Sequence, residues 1–277
     1  MRTFKFEQST KISESDMKTF KLENHPKKMI TSHAGLALIG KAIDRFTSLT
    51  KELDQRYKQK SGTPMSDVIK SYFGVLSRGK HQFAAVEAVS NDQFFKEAMG
   101  LKKGVPSEAT LRTRLKKEAS QLIPVIDRSS TDFLVNREVP LTPLYTGHIP
   151  LDIDVTPHDN SNTKKEHVSY TYKGMDGYAP IASYLGQEGW AIGYELRAGS
   201  QHSQCEFTYT LERNFEAIHR IMKERLISEQ ALLVRLDSGH DAVETRAWLY
   251  KLDTPLLLDH IIKWNPRSEA SDENKQK

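Results

Sequence analysis

Two carboxylates on one face of an apolar strand, with a further acid at the end of a second apolar strand far downstream, have the make-up of a divalent-cation site. In Leu151-Asp152-Ile153-Asp154-Val155-Thr156, Leu151, Ile153 and Val155 alternate with Asp152 and Asp154, so the apolar side chains face one way and both carboxylates the other. Burying an unpaired carboxylate costs several kcal/mol or more, so such a face is solvated, paired or bound to a cation. The second run, Leu233-Val234-Arg235-Leu236-Asp237-Ser238-Gly239, delivers Asp237 into a Ser-Gly turn. Carboxylate oxygens suit hard cations such as Mg²⁺. A carboxylate-held pair of such cations supports phosphoryl transfer, one activating the attacking oxygen and the other stabilising the leaving one.

Everything between the two acids must serve to bring them together. Residues 157–165 form a polar loop, and 167–172 alternate like a strand. A glycine turn at 174–177 leads to an aromatic and branched return over 178–185, a tight link at 186–189, and a strand over 190–196. From Cys205 the period becomes helical, with Phe207, Leu211, Phe215, Ile218 and Met222 on one face through residue 226. A strand over 231–236, a helix over 242–252 and a strand over 258–264 follow. This order predicts an α/β domain with a ribonuclease-H-like mixed sheet. Its first strand pairs antiparallel with the hairpin and parallel with the strand bearing Asp237. The ends of neighbouring parallel strands lie about 5 Å apart, so Asp154 and Asp237 can share one cation. Asp152 sits about 6.6 Å back along its strand and is assigned a supporting role behind the cation ligands.

The run 151–156, the hairpin from Tyr172-Lys173-Gly174 to Pro180, Leu196-Arg197-Ala198-Gly199-Ser200, Arg235-Leu236-Asp237-Ser238-Gly239 and Ile262-Lys263-Trp264-Asn265-Pro266-Arg267 together resemble bacterial insertion-sequence transposases of the DDE type, in the group 1 branch. The resemblance extends upstream through Thr31-Ser32-His33-Ala34-Gly35-Leu36 and Pro106-Ser107-Glu108-Ala109-Thr110-Leu111-Arg112. It implies a ribonuclease-H-like catalytic domain, Mg²⁺ or Mn²⁺, and cut-and-paste movement of a DNA element. By the same resemblance, Asp154 is the first catalytic aspartate and Asp237 the second. The family pattern also has a Glu on a helix after an inserted β-rich segment, and this sequence stops before one. The chain therefore reads as a transposase truncated at its C-terminus, with cleavage absent or reduced. Glu244, on the helix after Asp237, reads as solvated rather than as a substitute acid. The implied partner is double-stranded DNA carrying terminal inverted repeats, bound by a homodimer.

Upstream of residue 140 the organisation changes to helices. Residues 1–31 form a lysine-rich lead, partly disordered, in which Thr3-Phe4-Lys5-Phe6-Glu7 could add an edge strand. Residues 32–140 read as a helical DNA-binding region and 141–277 as the truncated catalytic domain. Amphipathic helices are expected over 33–57, 65–76, 83–89 and 93–98. A break at Lys102-Lys103-Gly104-Val105-Pro106 precedes a helix over 109–122 opened by Ser107 and Glu108. Arg112, Arg114, Lys116 and Lys117 on that helix are candidate DNA contacts in a helix-turn-helix setting, although basic residues on a helix also make an ordinary solvated face. Lys173 and Arg197, near the acidic edge, are candidate phosphate contacts.

With 277 residues the chain can hold two domains and bury a substantial core. A net charge of +4 permits nucleic acid without demanding it. The single Cys205 argues against disulfides and a thiolate zinc site and suits a reducing cytoplasm. No apolar run approaches the ~20 residues of a membrane span. The ten histidines do not cluster at zinc spacing. His158 reads as solvated and His240 as a marginal active-site lining. Tyr170, Tyr172, Tyr178, Tyr184, Trp190 and Tyr194 read as cross-strand sheet pairs, and Trp264 as core or its edge. Two alternatives remain. Asp152-x-Asp154-x-Thr156 also opens haloacid-dehalogenase-like phosphatases, which need further strand-helix units before their later acids. The other is a DNA-binding or inhibitory fragment without catalysis.

Overall fold

Strand and helix periodicities alternate along residues 149–262, and the computed structural model folds this stretch around one mixed sheet. The structure describes residues 31–58, 61–227, 229–252, 254 and 256–266, with strands β1 (Thr3–Phe4) and β2 (Leu22–Glu23), which pair antiparallel. The rest of the expected lysine-rich lead and the expected frayed tail at 268–277 lie outside the described residues.

The helical region contains α1 (Leu36–Phe46), α2 (Leu49–Arg56), α3 (Met65–Ser77), a 3₁₀ helix (Phe83–Val89), α4 (Gln93–Ala98) and α5 (Glu108–Asn136). The single helix expected over 33–57 breaks at Thr47-Ser48, where Thr47 Oγ1 accepts the Leu49 amide at 3.2 Å. Short hydroxyl side chains compete in this way for the amides that would continue a helix. Conversely, α5 runs well past the expected end at 122 and through Pro124. An internal proline costs about 3 kcal/mol. Burial of Val125, Leu134 and Val135 beyond it offsets that cost.

Two compact units divide inside α5: residues 1–45 with 50–118, and 46–49 with 119–277. The sequence division was expected near 140, but Leu134 and Val135 of α5 belong to the same core as the sheet. In the first unit, Asp67 accepts the amides of Lys102, Lys103 and Gly104 at 3.0, 2.7 and 3.1 Å and so fixes the turn ahead of α5. Buried Lys70 pairs with Asp44 at 2.8 Å.

The second unit continues with β3 (Ile149–Val155), β4 (His158–Asp159), β5 (Ser169–Tyr170), β6 (Asp176–Tyr178), β7 (Ile181–Leu185), β8 (Trp190–Glu195), α6 (Phe207–Glu224), β9 (Leu232–Leu236), α7 (Val243–Lys251) and β10 (Leu258–Ile262). The main sheet has the order β10-β9-β3-β7-β8. β3 is antiparallel to β7 and parallel to β9, β7 is antiparallel to β8, and β9 is parallel to β10. That is a ribonuclease-H-like mixed sheet. The antiparallel hairpin beside β3 leaves no room for the parallel strand-helix units that the phosphatase alternative needs.

The loop expected at 157–165 contributes β4 to a separate small sheet, β4-β6-β5. On the buried face Leu151, Ile153, Val155, Val234 and Leu236 meet Leu211, Phe215, Ile218 and Met222 of α6. Each such side chain stabilises the fold by about 1.5–3 kcal/mol. α6 lies so close to β8 that a Cβ on Gly193 would stand 2.3 Å from Asn214 Oδ1. The Asn214 amide meanwhile donates to Ser183 Oγ at 2.6 Å.

Asp132 ties α5 to α6 and to the 46–49 segment. Its carboxylate accepts Ser48 Oγ at 2.6 Å and Arg220 at 2.6 Å. Burial pushes this carboxyl up, but the Ser48 and Arg220 bonds outweigh it and hold it below the ordinary carboxylate value. Asp132→Asn is expected to destabilise the chain by about 2 kcal/mol. A carboxyl lowered by folding contributes stability that is present above its unfolded pKa, near 4, and lost as pH falls through the folded value. Denaturant unfolding from pH 6 to 3 should therefore show a smaller acid loss in the variant; equal slopes would sink this account.

Candidate active site

The edge of β3 and β9 carries the site. Ile153 pairs with Leu236 as the last register pair, so Asp154 and Asp237 are the next residues on two adjacent parallel strands. The shared face is fixed one step back, where Asp152 pairs with Arg235. The Arg235 guanidinium donates to both Asp152 oxygens, at 2.6 and 2.5 Å. Alternation then puts Asp154 and Asp237 on that same face. Asp152 therefore spends its charge on Arg235. Both groups are 42% exposed, and such a pair is worth about 1 kcal/mol at most.

Asp154 is exposed and accepts the Val155 amide at 2.8 Å. Asp237 caps the 3₁₀ turn Ser238–His240, its Oδ1 accepting Gly239 N at 3.1 Å and His240 Nδ1 at 2.7 Å. The turn is stitched to the exit of β10: Asn265 N donates to Asp241 Oδ2 at 2.9 Å and Asn265 Nδ2 to the Ser238 carbonyl at 3.2 Å. His240 is fully buried, with its ring centroid 4.3 Å from that of Phe207. Burial pushes its pKa below the ordinary histidine value against the opposing pull of Asp237. Residue type alone gave little sign of this contact, since a histidine in a polar turn is usually solvated.

Tyr172 also adjoins the acids. Its hydroxyl donates to the Val155 carbonyl at 2.9 Å. Burial, then the Asp154 and Asp237 carboxylates, raise its pKa. The residue is nevertheless 65% exposed, and Lys173 Nζ lies 5.4 Å from the ring centroid. The cross-strand role expected for Tyr172 is thus replaced by an anchored ring beside the carboxylates. Tyr170 and Trp264 are likewise exposed rather than packed.

Arg197 departs from its expected phosphate-contact role, because its side chain is turned into the protein. It is 3% exposed and donates to Glu195 Oε1 at 3.1 Å, the Cys205 carbonyl at 3.0 Å and Thr210 Oγ1 at 2.7 Å. Cys205 itself is exposed in the turn before α6. Glu244 is exposed in the first turn of α7.

In the first unit, Ser107 caps α5 by accepting the Thr110 amide at 3.3 Å. Arg114 donates to the Thr63 carbonyl at 2.5 Å, and burial lowers its pKa. Its guanidinium is therefore engaged within the unit rather than presented outward. Arg112 bonds Glu108 at 2.5 Å and stacks over Phe83, with its Cζ 5.1 Å from the ring centroid. Lys116 and Lys117 are exposed.

The two exposed carboxylates offer hard oxygen donors, and the nearby imidazole presents an N–H rather than a lone pair. That set fits Mg²⁺ or Mn²⁺ better than zinc or copper. Among the described residues no group of three His, Cys, Asp or Glu side chains could hold a metal ion. No described helix is long and apolar enough to cross a membrane.

A family profile described as transposase DDE domain group 1 matches residues 17–257. No curated protein matches the chain. Among solved structures, the piggyBac transposase synaptic complex with hairpin DNA is similar with a TM-score of 0.32 and 13% identity, over 87% of this chain and 52% of that one. The Mos1 mariner paired-end complex with Mn gives 0.27 and 14%, over 83% and 78%. A pre-cleavage Mos1 transpososome gives 0.27 and 13%, over 84% and 78%. This chain spans about half the length of the piggyBac chain it matches.

Proposed function

Because the chain belongs to the DDE transposase domain group 1 family, we propose that it acts in metal-dependent cleavage and transfer of DNA strands at the terminal inverted repeats of a bacterial insertion sequence, as a homodimer in the cytoplasm. The observation that carries this reading is the β3–β9 register, marked by the Asp152–Arg235 pair, in which Asp154 and Asp237 come next on one face of two adjacent strands. Asp154 and Asp237 would hold Mg²⁺ or Mn²⁺. Bound there, the cation supplies activation of a water or 3′-hydroxyl and stabilisation of the leaving oxygen. Asp152 spends its charge on Arg235 and stands behind the two acids. Tyr172, fixed by its hydroxyl, and Lys173 beside it form a wall that receives the sugar-phosphate strand. Full two-metal chemistry needs an acid beyond these two, and the described residues offer no three-donor group.

DNA bearing the element's ends, incubated with the purified chain with and without Mn²⁺, tests the reading. A mobility shift with metal-dependent nicking that Asp154→Asn abolishes is expected. The absence of both shift and nicking overturns it, and a shift without nicking selects the non-catalytic, DNA-binding form of the protein.

The exposed lysines of α5 are the proposed duplex contacts, whereas Arg112 pairs with Glu108 of its own helix and Arg114 with the Thr63 carbonyl. Replacing Lys116 and Lys117 together by Ala should weaken binding similarly for all sequences. It should also reduce the slope of log K against log salt by about 2. An unchanged slope in salt-titrated fluorescence anisotropy would remove these lysines from the interface.

A further inference from the structure

We propose that His240 is a positioning residue for Asp237, fixing one carboxylate oxygen so that the other is offered to the cation; this deepens the metal reading above and rests on it. Both local donors, the Gly239 amide at 3.1 Å and His240 Nδ1 at 2.7 Å, land on Oδ1. Among the described residues no donor reaches Oδ2. A carboxylate half exposed at the end of a strand would otherwise rotate freely about its last torsion, which is broad and roughly two-fold. A hydrogen bond from a buried ring removes that freedom.

The ring cannot swing away. It is 0% exposed, packed on Phe207 at 4.3 Å between centroids, and carried by a turn that Asn265 ties down through two hydrogen bonds. Holding an imidazole there has a cost, because Nε2 is buried without a hydrogen-bond partner among the described residues. An unsatisfied buried polar atom costs about 1–3 kcal/mol. An apolar side chain would pack on Phe207 without that penalty, so packing alone does not account for histidine at this position. The Nδ1–H to Asp237 does. Asp154 has no comparable tether, since among the described residues its only donor is the adjacent Val155 amide, so the two acids differ in how firmly they are held.

Residues that orient a metal ligand typically cost 10–100-fold in metal affinity when lost. Two nearly isosteric variants isolate the donor: His240→Asn keeps an N–H near the Nδ1 position, and His240→Leu removes it. Mn²⁺ binding to the full chain, read by electron paramagnetic resonance of the free ion, is expected to weaken about 10–100-fold in H240L and to be largely restored in H240N. H240L binding Mn²⁺ as the wild type does, while Asp154→Asn does not, overturns the role of His240 and leaves the metal reading intact. A wild-type chain that binds no Mn²⁺ overturns both. If neither variant folds, a Mg²⁺ titration of ¹⁵N-histidine-labelled wild type decides. A protonated Nδ1 whose resonance moves with Mg²⁺ supports the proposal, and an unprotonated or unmoved Nδ1 overturns it.

Discussion

Asp154→Asn and Asp237→Asn are each expected to weaken Mn²⁺ binding by at least about 100-fold, since a direct ligand should matter no less than the residues behind it. Asp152→Asn should leave binding nearly unchanged. The three aspartates are alike in sequence and share one face, so only their partners separate them. Asp152 is neutralised by a two-pronged guanidinium contact. Among the described residues Asp154 and Asp237 accept only amides or an imidazole N–H, which orient a carboxylate without cancelling its charge.

The stability effects should run the other way. Two carboxylates about 5 Å apart repel by about 1 kcal/mol in water and about 3 kcal/mol at an effective dielectric constant of ~20. Neutralising either one should therefore hold or raise the melting temperature in EDTA while abolishing its rise with Mn²⁺. Asp152→Asn should instead lower the melting temperature slightly, by the worth of a half-exposed ion pair, and keep the Mn²⁺ response. Differential scanning fluorimetry in EDTA and in Mn²⁺ reads both quantities at once. If Asp152→Asn abolished the Mn²⁺ response and Asp154→Asn did not, the assignment along β3 would be reversed.

The acidic edge was legible in the sequence because a two-residue period and an apolar strand are local properties, and chain order then restricts which strands become neighbours. Strand β3 with Asp152 and Asp154, the crossover helix and the strand ending at Asp237 all follow from such patterns. Partner choice did not follow. Asp152 meeting Arg235, His240 meeting Asp237 and Tyr172 meeting the Val155 carbonyl depend on register and on turn geometry, which hydrophobic periodicity does not encode. Helix lengths failed for a related reason. Pro124 looks like a stop, but burial of the residues after it outweighs a local penalty. Among the basic residues, Arg114 and Arg197 look like surface cations by type, and each is engaged inside its own unit. Charge in a sequence has a sign but no direction.

Arg197→Ala is expected to destabilise the 46–49/119–277 unit by about 3–5 kcal/mol, the range for breaking a buried ion pair from one side. That is a large share of the 5–15 kcal/mol by which domains are stable. The guanidinium joins three parts of the fold. It pairs with Glu195 at the end of β8, donates to the Cys205 carbonyl in the turn before α6, and donates to Thr210 in the first turn of that helix. Thr210 in turn donates to the other Glu195 oxygen at 3.1 Å, closing a ring of contacts. Removing the arginine leaves Glu195, whose side chain is 20% exposed, with the more distant Arg213 at 3.9 Å, and leaves the Cys205 carbonyl with the longer bond from Gln201 at 3.4 Å. Removing both Arg197 and Glu195 should then cost less than the sum of the two single changes, a coupling that a double-mutant cycle in urea measures directly. A phosphate-binding arginine would behave differently: its loss would leave stability within about 0.5 kcal/mol, as for most surface substitutions. It would also reduce the salt slope of DNA binding by about 1. Lys173→Ala is the internal control for that pattern, being exposed beside the same acidic edge. Arg197→Ala chains that melt like wild type and lose one unit of salt slope would return Arg197 to the DNA surface and remove it from the support of β8.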